Sequence, residues 1–70
     1  MKYSREFTTA ELCDWMRQKF AFADFYMTAF YERHIDGNSF VNLNNNKLRE
    51  MGILLVGHRL KILGKLRKLR

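Results

Sequence analysis

The stretch MGILLVGHRLKI, residues 51–62, combines the end of one helix, an apolar connection and the start of a positively charged helix. Gly52 can take the left-handed backbone conformation that ends a preceding helix, because glycine has no Cβ to clash there. Leu54 and Leu55 follow it, and adjacent side chains on a tight connection point in different directions. We therefore expect at least one of these two leucines to be exposed to solvent.

The residues C-terminal to this connection predict a long amphipathic helix. Its apolar stripe has helical spacing and consists of Ile62, Leu63, Leu66 and Leu69. Its neighbouring basic face consists of Lys61, Lys65 and Lys68. Six of the thirteen basic residues lie in the last twelve positions, without an acidic residue among them. Such a block indicates an acidic partner or a solvated helix face, and charge alone does not decide between them.

Shorter helices are predicted N-terminal to the connection. Thr8 and Glu11 have the spacing of a capping box, in which each side chain binds the other residue's backbone N–H. A second helix fits Ala23 to about Arg33, and the pair Asp36-Gly37 is expected to break this helix, because these two residues tolerate turn geometry well.

A short helical turn and a fourth helix complete the pattern. Phe40, Val41 and Leu43 suit one turn, and Asn44 can cap the fourth helix. The sustained alternation typical of strands is absent from the sequence. The predicted fold class is therefore all-α, with several short helices and one long C-terminal helix.

The length and composition limit the possible functions. A chain of 70 residues with 47% hydrophobic residues can form one small domain, whose core leaves little room for a catalytic pocket. The lone Cys13 excludes an internal disulfide, and His34 and His58 lack metal-ligand spacing. We expect no enzymatic activity, cofactor, metal or small-molecule substrate. Without a transmembrane or signal segment, an intracellular location, cytoplasmic or nuclear, and a place within a longer protein are expected.

Several motifs follow one another in an order that resembles the sterile alpha motif (SAM) domain over roughly residues 7–69. They are Leu12-x-x-Trp15-Met16, Tyr26-x-x-x-Phe30, Ile35-Asp36-Gly37, Phe40-Val41-x-Leu43, Leu48-x-x-Met51-Gly52-Ile53, Gly57-His58-Arg59 and Ile62-Leu63. The resemblance implies a non-catalytic five-helix bundle whose long fifth helix packs against the other four. We assign residues 7–70 to the domain and residues 1–6 to an N-terminal flank.

SAM domains mostly bind other SAM domains, and the resemblance implies two surfaces for such contacts. We define the end-helix surface, around the start of helix five, as Leu54, Leu55, Val56, His58, Arg59, Lys61 and Lys65. The family pattern implies that Val56 packs beneath the helix start and that His58 packs locally. A cation in the first turn of a helix needs compensation, and for Arg59 we expect a carboxylate of the domain or a partner's carboxylate or phosphate.

The second surface departs from the family pattern. At the start of helix four the family commonly has acidic residues, whereas this chain has Asn45, Asn46 and Lys47. The candidates for a mid-loop surface are Asn38, Asn42, Asn45 and Glu50. Because this surface is poorly acidic, we expect the end-helix surface to bind another SAM domain with an acidic mid-loop face, with self-association as oligomer or polymer as the second possibility.

Two alternatives use the basic residues. A minority of SAM domains bind RNA hairpins, and the residues available for that role are Lys19, Phe22, Arg59, Lys61, Lys65 and Lys68. Phe22 and Phe20 lie in a link between helices one and two that is about two residues longer than usual, and one of them is expected in the core. An anionic membrane surface is the other alternative, bound through Arg67, Lys68 and Arg70.

Overall fold

The computed structural model describes residues 3–69, and all of its regular structure in this range is helical. Five α-helices run in the order α1 (Thr9–Lys19), α2 (Met27–Glu32), α3 (Gly37–Val41), α4 (Asn45–Glu50) and α5 (Val56–Leu69). Two 3-10 turns, Ser4–Glu6 and Ala23–Phe25, precede α1 and α2. The predicted all-α fold with five helices and a long C-terminal helix is confirmed.

The capping box predicted at the start of α1 is present in both directions. The backbone N–H of Glu11 donates to Oγ1 of Thr8 at 3.2 Å. The N–H of Thr8 donates in turn to Oε1 of Glu11 at 3.0 Å. Two N–H groups that the helix itself cannot satisfy are thereby paired.

Thr8→Ala is expected to lower the free energy of unfolding by about 1 kcal/mol, because the N–H of Glu11 loses its acceptor. Urea denaturation followed by circular dichroism measures the change. Thr8→Ser keeps the hydroxyl and should lose only a small part of the stability. Equal stability of the alanine and serine variants would contradict the role of the cap.

The second helix differs from its prediction. Instead of one helix from Ala23 to Arg33, a 3-10 turn is followed by α2 (Met27–Glu32). The two are separated at Tyr26, whose φ of −119° departs from the helical value of about −63°. The helical segment ends at Glu32, and the left-handed residue after it is His34, with φ 53°.

The pair Asp36-Gly37 separates α2 from α3, as predicted, and Gly37 is also the first residue of α3. Asp36 is the N-cap of α3, and its Oδ1 accepts the backbone N–H of Ser39 at 2.9 Å. This hydrogen bond lowers the pKa of the Asp36 carboxyl. Gly37 is required by close packing, because a Cβ there would lie 1.8 Å from the carbonyl oxygen of Ser4.

The segment Ser4–Glu6, which the sequence placed in a flank, therefore lies against the start of α3. The N–H of Gly37 also donates to the carbonyl of Phe7 at 2.8 Å and fixes the chain at this point. The boundary between flank and domain at residue 7 stays a prediction.

The ends of α4 match their predictions. Oδ1 of Asn44 accepts the N–H of Lys47 at 2.9 Å and caps the helix. Gly52 has φ 93° and provides the left-handed residue after it. The chain then turns through Ile53, which is fully buried, into the connection before α5.

The core is formed by buried side chains from each of the five α-helices. Its largest fully buried side chains are Phe30, Phe40, Leu12, Met16, Leu48, Ile53, Ile62 and Leu66. Burial of each contributes about 1.5–3 kcal/mol. Cys13 is also fully buried, and desolvation raises the pKa of its thiol. Cys13 therefore packs as an apolar residue on the helix face, as predicted.

Candidate protein-binding surfaces

Three consecutive apolar side chains are exposed where the chain enters α5. Leu54 is 70% exposed, Leu55 60% and Val56 59%. The expected exposure of a leucine is confirmed for both residues. The expected packing of Val56 beneath the helix start was wrong, because the fully buried Ile53 takes the place beneath this connection.

Arg59 lies beneath the same connection and is only 7% exposed. Its Nη1 donates to the carbonyl oxygens of Ile53 at 2.8 Å and Leu54 at 2.9 Å. Its Nε donates to Oδ1 of Asn45 on α4 at 2.8 Å. The expected carboxylate is thus replaced by two backbone carbonyls and an amide oxygen. Arg59 holds the shape of the connection that exposes the two leucines.

An aromatic cluster joins the link between α1 and α2 to the start of α5. His58 stacks on Phe22 with ring centroids 3.9 Å apart and planes inclined by 8°. Its Nδ1 also shares a hydrogen bond with the hydroxyl of Tyr26. Phe22 further stacks on Phe20 at 5.2 Å. The local packing expected of His58 is confirmed, and Phe20 is the core member of the predicted pair.

The exposure of Leu60 and Phe25 was not predicted from the sequence. Leu60 is 61% exposed, and the helical spacing of Ile62, Leu63 and Leu66 already places it away from their buried stripe. Phe25 is 80% exposed at the end of the second 3-10 turn. Only the helix break at Tyr26 explains its position, and the sequence carries no clear signal for that break.

Four predicted basic residues meet in a groove between the C-terminal end of α1 and the middle of α5. Lys19 comes from α1, and α5 contributes the other three, Lys61, Lys65 and Lys68. The floor consists of Phe20, Leu60 and Gly64, and the groove encloses about 340 Å³. We call it the basic groove. Lys61 and Lys65, predicted in the end-helix surface, face this groove, whereas Phe22 and Arg59 of the RNA alternative do not line it.

The predicted mid-loop residues are all exposed but are divided between two helices. Asn38 lies in α3, and its carbonyl accepts Nδ2 of Asn42 at 2.8 Å. Asn45 and Glu50 are the first and last residues of α4. Because Asn45 accepts a hydrogen bond from Arg59, it is linked to the start of α5.

The mid-loop surface has few carboxylates and a guanidinium close to it. Nη2 of Arg33 donates to the backbone carbonyl of Glu50 at 3.3 Å, which places a guanidinium at the end of α4. The carboxylate of Asp36 is occupied as the cap of α3. The structure therefore agrees with the weakly acidic character that the sequence indicates for the mid-loop surface.

Residues 3–69 contain no cluster of side chains that could hold a metal ion. In the same range, no helix combines the length and hydropathy that a transmembrane span requires.

Comparison with known families agrees with this architecture. The family described as SAM domain (sterile alpha motif) matches residues 6–70, which is nearly the whole chain. The chain belongs to the SAM domain family. SAM domains are generally non-catalytic protein–protein interaction modules, which typically bind other SAM domains or oligomerise. A search of curated proteins found no match to the chain.

Proposed function

We propose that this SAM domain binds an acidic mid-loop face of another SAM domain through its end-helix surface. The observation that carries the proposal is the exposure of Leu54, Leu55 and Val56 side by side at the start of α5. Three adjacent apolar side chains, on a connection to which Arg59 donates two hydrogen bonds, suit the apolar centre of a small interface.

The three apolar side chains would supply a substantial part of the binding free energy. Burying one such side chain contributes about 1.5–3 kcal/mol, and three together offset part of the cost of association. Lys61, one turn further along α5, adds a positive charge at the rim, which steers an acidic partner and orients it. Arg59 contributes indirectly, by holding the connection in place through Asn45 and Ile53.

A different SAM domain is the favoured partner rather than a second copy of this chain. The acidic face of the partner must complement the basic end-helix surface, whereas the chain's own mid-loop surface has Arg33 and Lys47 among its few carboxylates. Head-to-tail self-association would use the same end-helix surface, which would bind Asn38 and Asn42 on the mid-loop surface of a second copy. This contact is expected to be weaker than the contact with an acidic partner. Such a heterologous contact propagates instead of closing.

Leu55→Glu is expected to weaken SAM–SAM association at least tenfold, because a carboxylate replaces an apolar side chain at the interface centre. Sedimentation as concentration rises measures self-association of the wild type and the variant. For the heterotypic contact, the probe is a copy of this chain with two substitutions. Lys47→Glu adds a carboxylate to its mid-loop surface, and Leu55→Glu prevents its own end-helix surface from binding. Wild type should bind this copy, and the Leu55→Glu variant should not.

Ala10→Glu is the matched control. It adds the same charge at an exposed position in the first turn of α1, where an acidic residue is favourable. If Leu55→Glu and Ala10→Glu associate alike, the end-helix proposal is wrong. If the acidic copy does not bind, and an RNA hairpin or anionic vesicles bind with an affinity that depends on Lys65 and Lys68 and falls with salt, nucleic acid or lipid is the partner instead.

A further inference from the structure

We propose that the basic groove is a second binding site, which takes an acidic peptide segment carrying one large apolar side chain. The groove shares Lys61 and Lys65 with the end-helix surface, but it also includes Lys19, Leu60 and Lys68, which that surface lacks, and these additional residues allow the two proposals to be tested separately. The groove requires a ligand that is both anionic and apolar.

The charge of the groove is uncompensated within the described part of the chain. Among residues 3–69, the lysines of the groove have no carboxylate within ion-pair distance. The nearby acids, Asp14 and Asp24, pair with Arg17 at 3.3 and 2.9 Å. The helix α5 has no acidic residue of its own. The ammonium groups of these lysines are therefore available to form ion pairs with a ligand that has several carboxylates.

The floor of the groove is apolar and open. Leu60 supplies most of the exposed apolar surface there, because Phe20, which lines the same space from the α1 side, is only 5% exposed. A Cβ at Gly64, which also lines the groove, would meet no atom within 4 Å, so the space next to this residue is open. The volume of about 340 Å³ is at the lower end of the range for ligand pockets, and it suits one large side chain rather than an extended ligand.

These features favour a peptide over a nucleic acid. Recognition of an unpaired base typically uses an exposed aromatic ring as a stacking platform. Phe22 already stacks on Phe20 and His58, and Phe20 is almost completely buried. A groove also suits a protruding side chain better than the broad surface of a membrane. An acidic peptide with one phenylalanine matches both the lysines and the floor.

The test is isothermal titration calorimetry with a short synthetic peptide that has a central phenylalanine flanked by glutamates. Lys68→Glu should weaken its binding about tenfold, since the change reverses one charge at the rim. Arg67→Glu is the matched control, because the adjacent exposed residue undergoes a comparable charge reversal without lining the groove. Leu60→Ser should also weaken binding about tenfold through loss of apolar contact.

The two proposals fail separately in this experiment. Leu55→Glu should leave peptide binding unchanged, and Leu60→Ser should leave binding to the acidic copy of the chain unchanged. The groove proposal is overturned if Arg67→Glu weakens peptide binding as much as Lys68→Glu. It is equally overturned if a peptide with serine in place of phenylalanine binds as tightly, or if only an RNA hairpin or anionic vesicles bind at these lysines.

Discussion

Arg59→Met is expected to lower the free energy of unfolding by about 3 kcal/mol, one of the two largest effects predicted for a single substitution. Methionine keeps most of the side-chain volume but removes the donors to Asn45, Ile53 and Leu54. The carbonyl of the buried Ile53 then loses a hydrogen bond to a charged donor, which costs about 1–3 kcal/mol by itself. Urea denaturation followed by circular dichroism measures the loss.

Arg59→Lys is the matched variant, because it keeps the charge and much of the stem. A lysine ammonium is a single point donor group and cannot reproduce the planar fork that spans α4 and the connection. An intermediate loss of stability is therefore expected. If Arg59→Met lowers the free energy of unfolding no more than Arg59→Lys does, the cost of burying the charge offsets the gain from the hydrogen bonds. Arg59 would then not stabilise the connection.

Gly37→Ala should cost about 3 kcal/mol, at the upper end for overpacking by one methyl group. The new Cβ would lie 1.8 Å from the carbonyl oxygen of Ser4, a backbone atom that moves only with its whole 3-10 turn. Gly64→Ala should have the opposite sign and stabilise by about 0.5–1 kcal/mol, since its Cβ meets open space inside a helix. Thermal unfolding of both variants measures this difference.

A truncated chain identifies the cause of the loss at Gly37. Removal of residues 1–6 eliminates the obstructing carbonyl of Ser4, so Gly37→Ala should then be tolerated. A penalty of the same size in the truncated chain would show that the helix α3 itself disfavours alanine at this position.

Local features of the fold could be predicted because they depend on neighbouring residues. The cap of α1 needs only Thr8 and Glu11, and the end of α4 needs only Gly52. The exposure of Leu54 and Leu55 also follows from local geometry. The family was identifiable because these signals occur in a fixed order.

Features that depend on distant residues could not be predicted. The need for glycine at position 37 could not be predicted, because it comes from Ser4, whose carbonyl lies close to Gly37 in the structure. The acceptors of Arg59 include Asn45, fourteen positions away, so no sequence rule near the helix start indicates them. The lysines of the basic groove were grouped in the RNA alternative, but the contribution of Leu60 to the groove depends on how α1 packs against α5 and was not predicted.

The packing of Trp15 gives the domain an intrinsic spectroscopic probe. Trp15 is the only tryptophan, and its ring meets Phe20 edge-on at 6.2 Å and Phe40 at 5.9 Å. Phe40 belongs to the fully buried core, whereas Phe20 borders the basic groove. Indole emission therefore depends on two neighbours of different kinds. Unfolding should shift the emission maximum strongly towards the red. Ligand binding in the groove should change the emission intensity without that shift, so tryptophan fluorescence of the unlabelled protein can distinguish the two events.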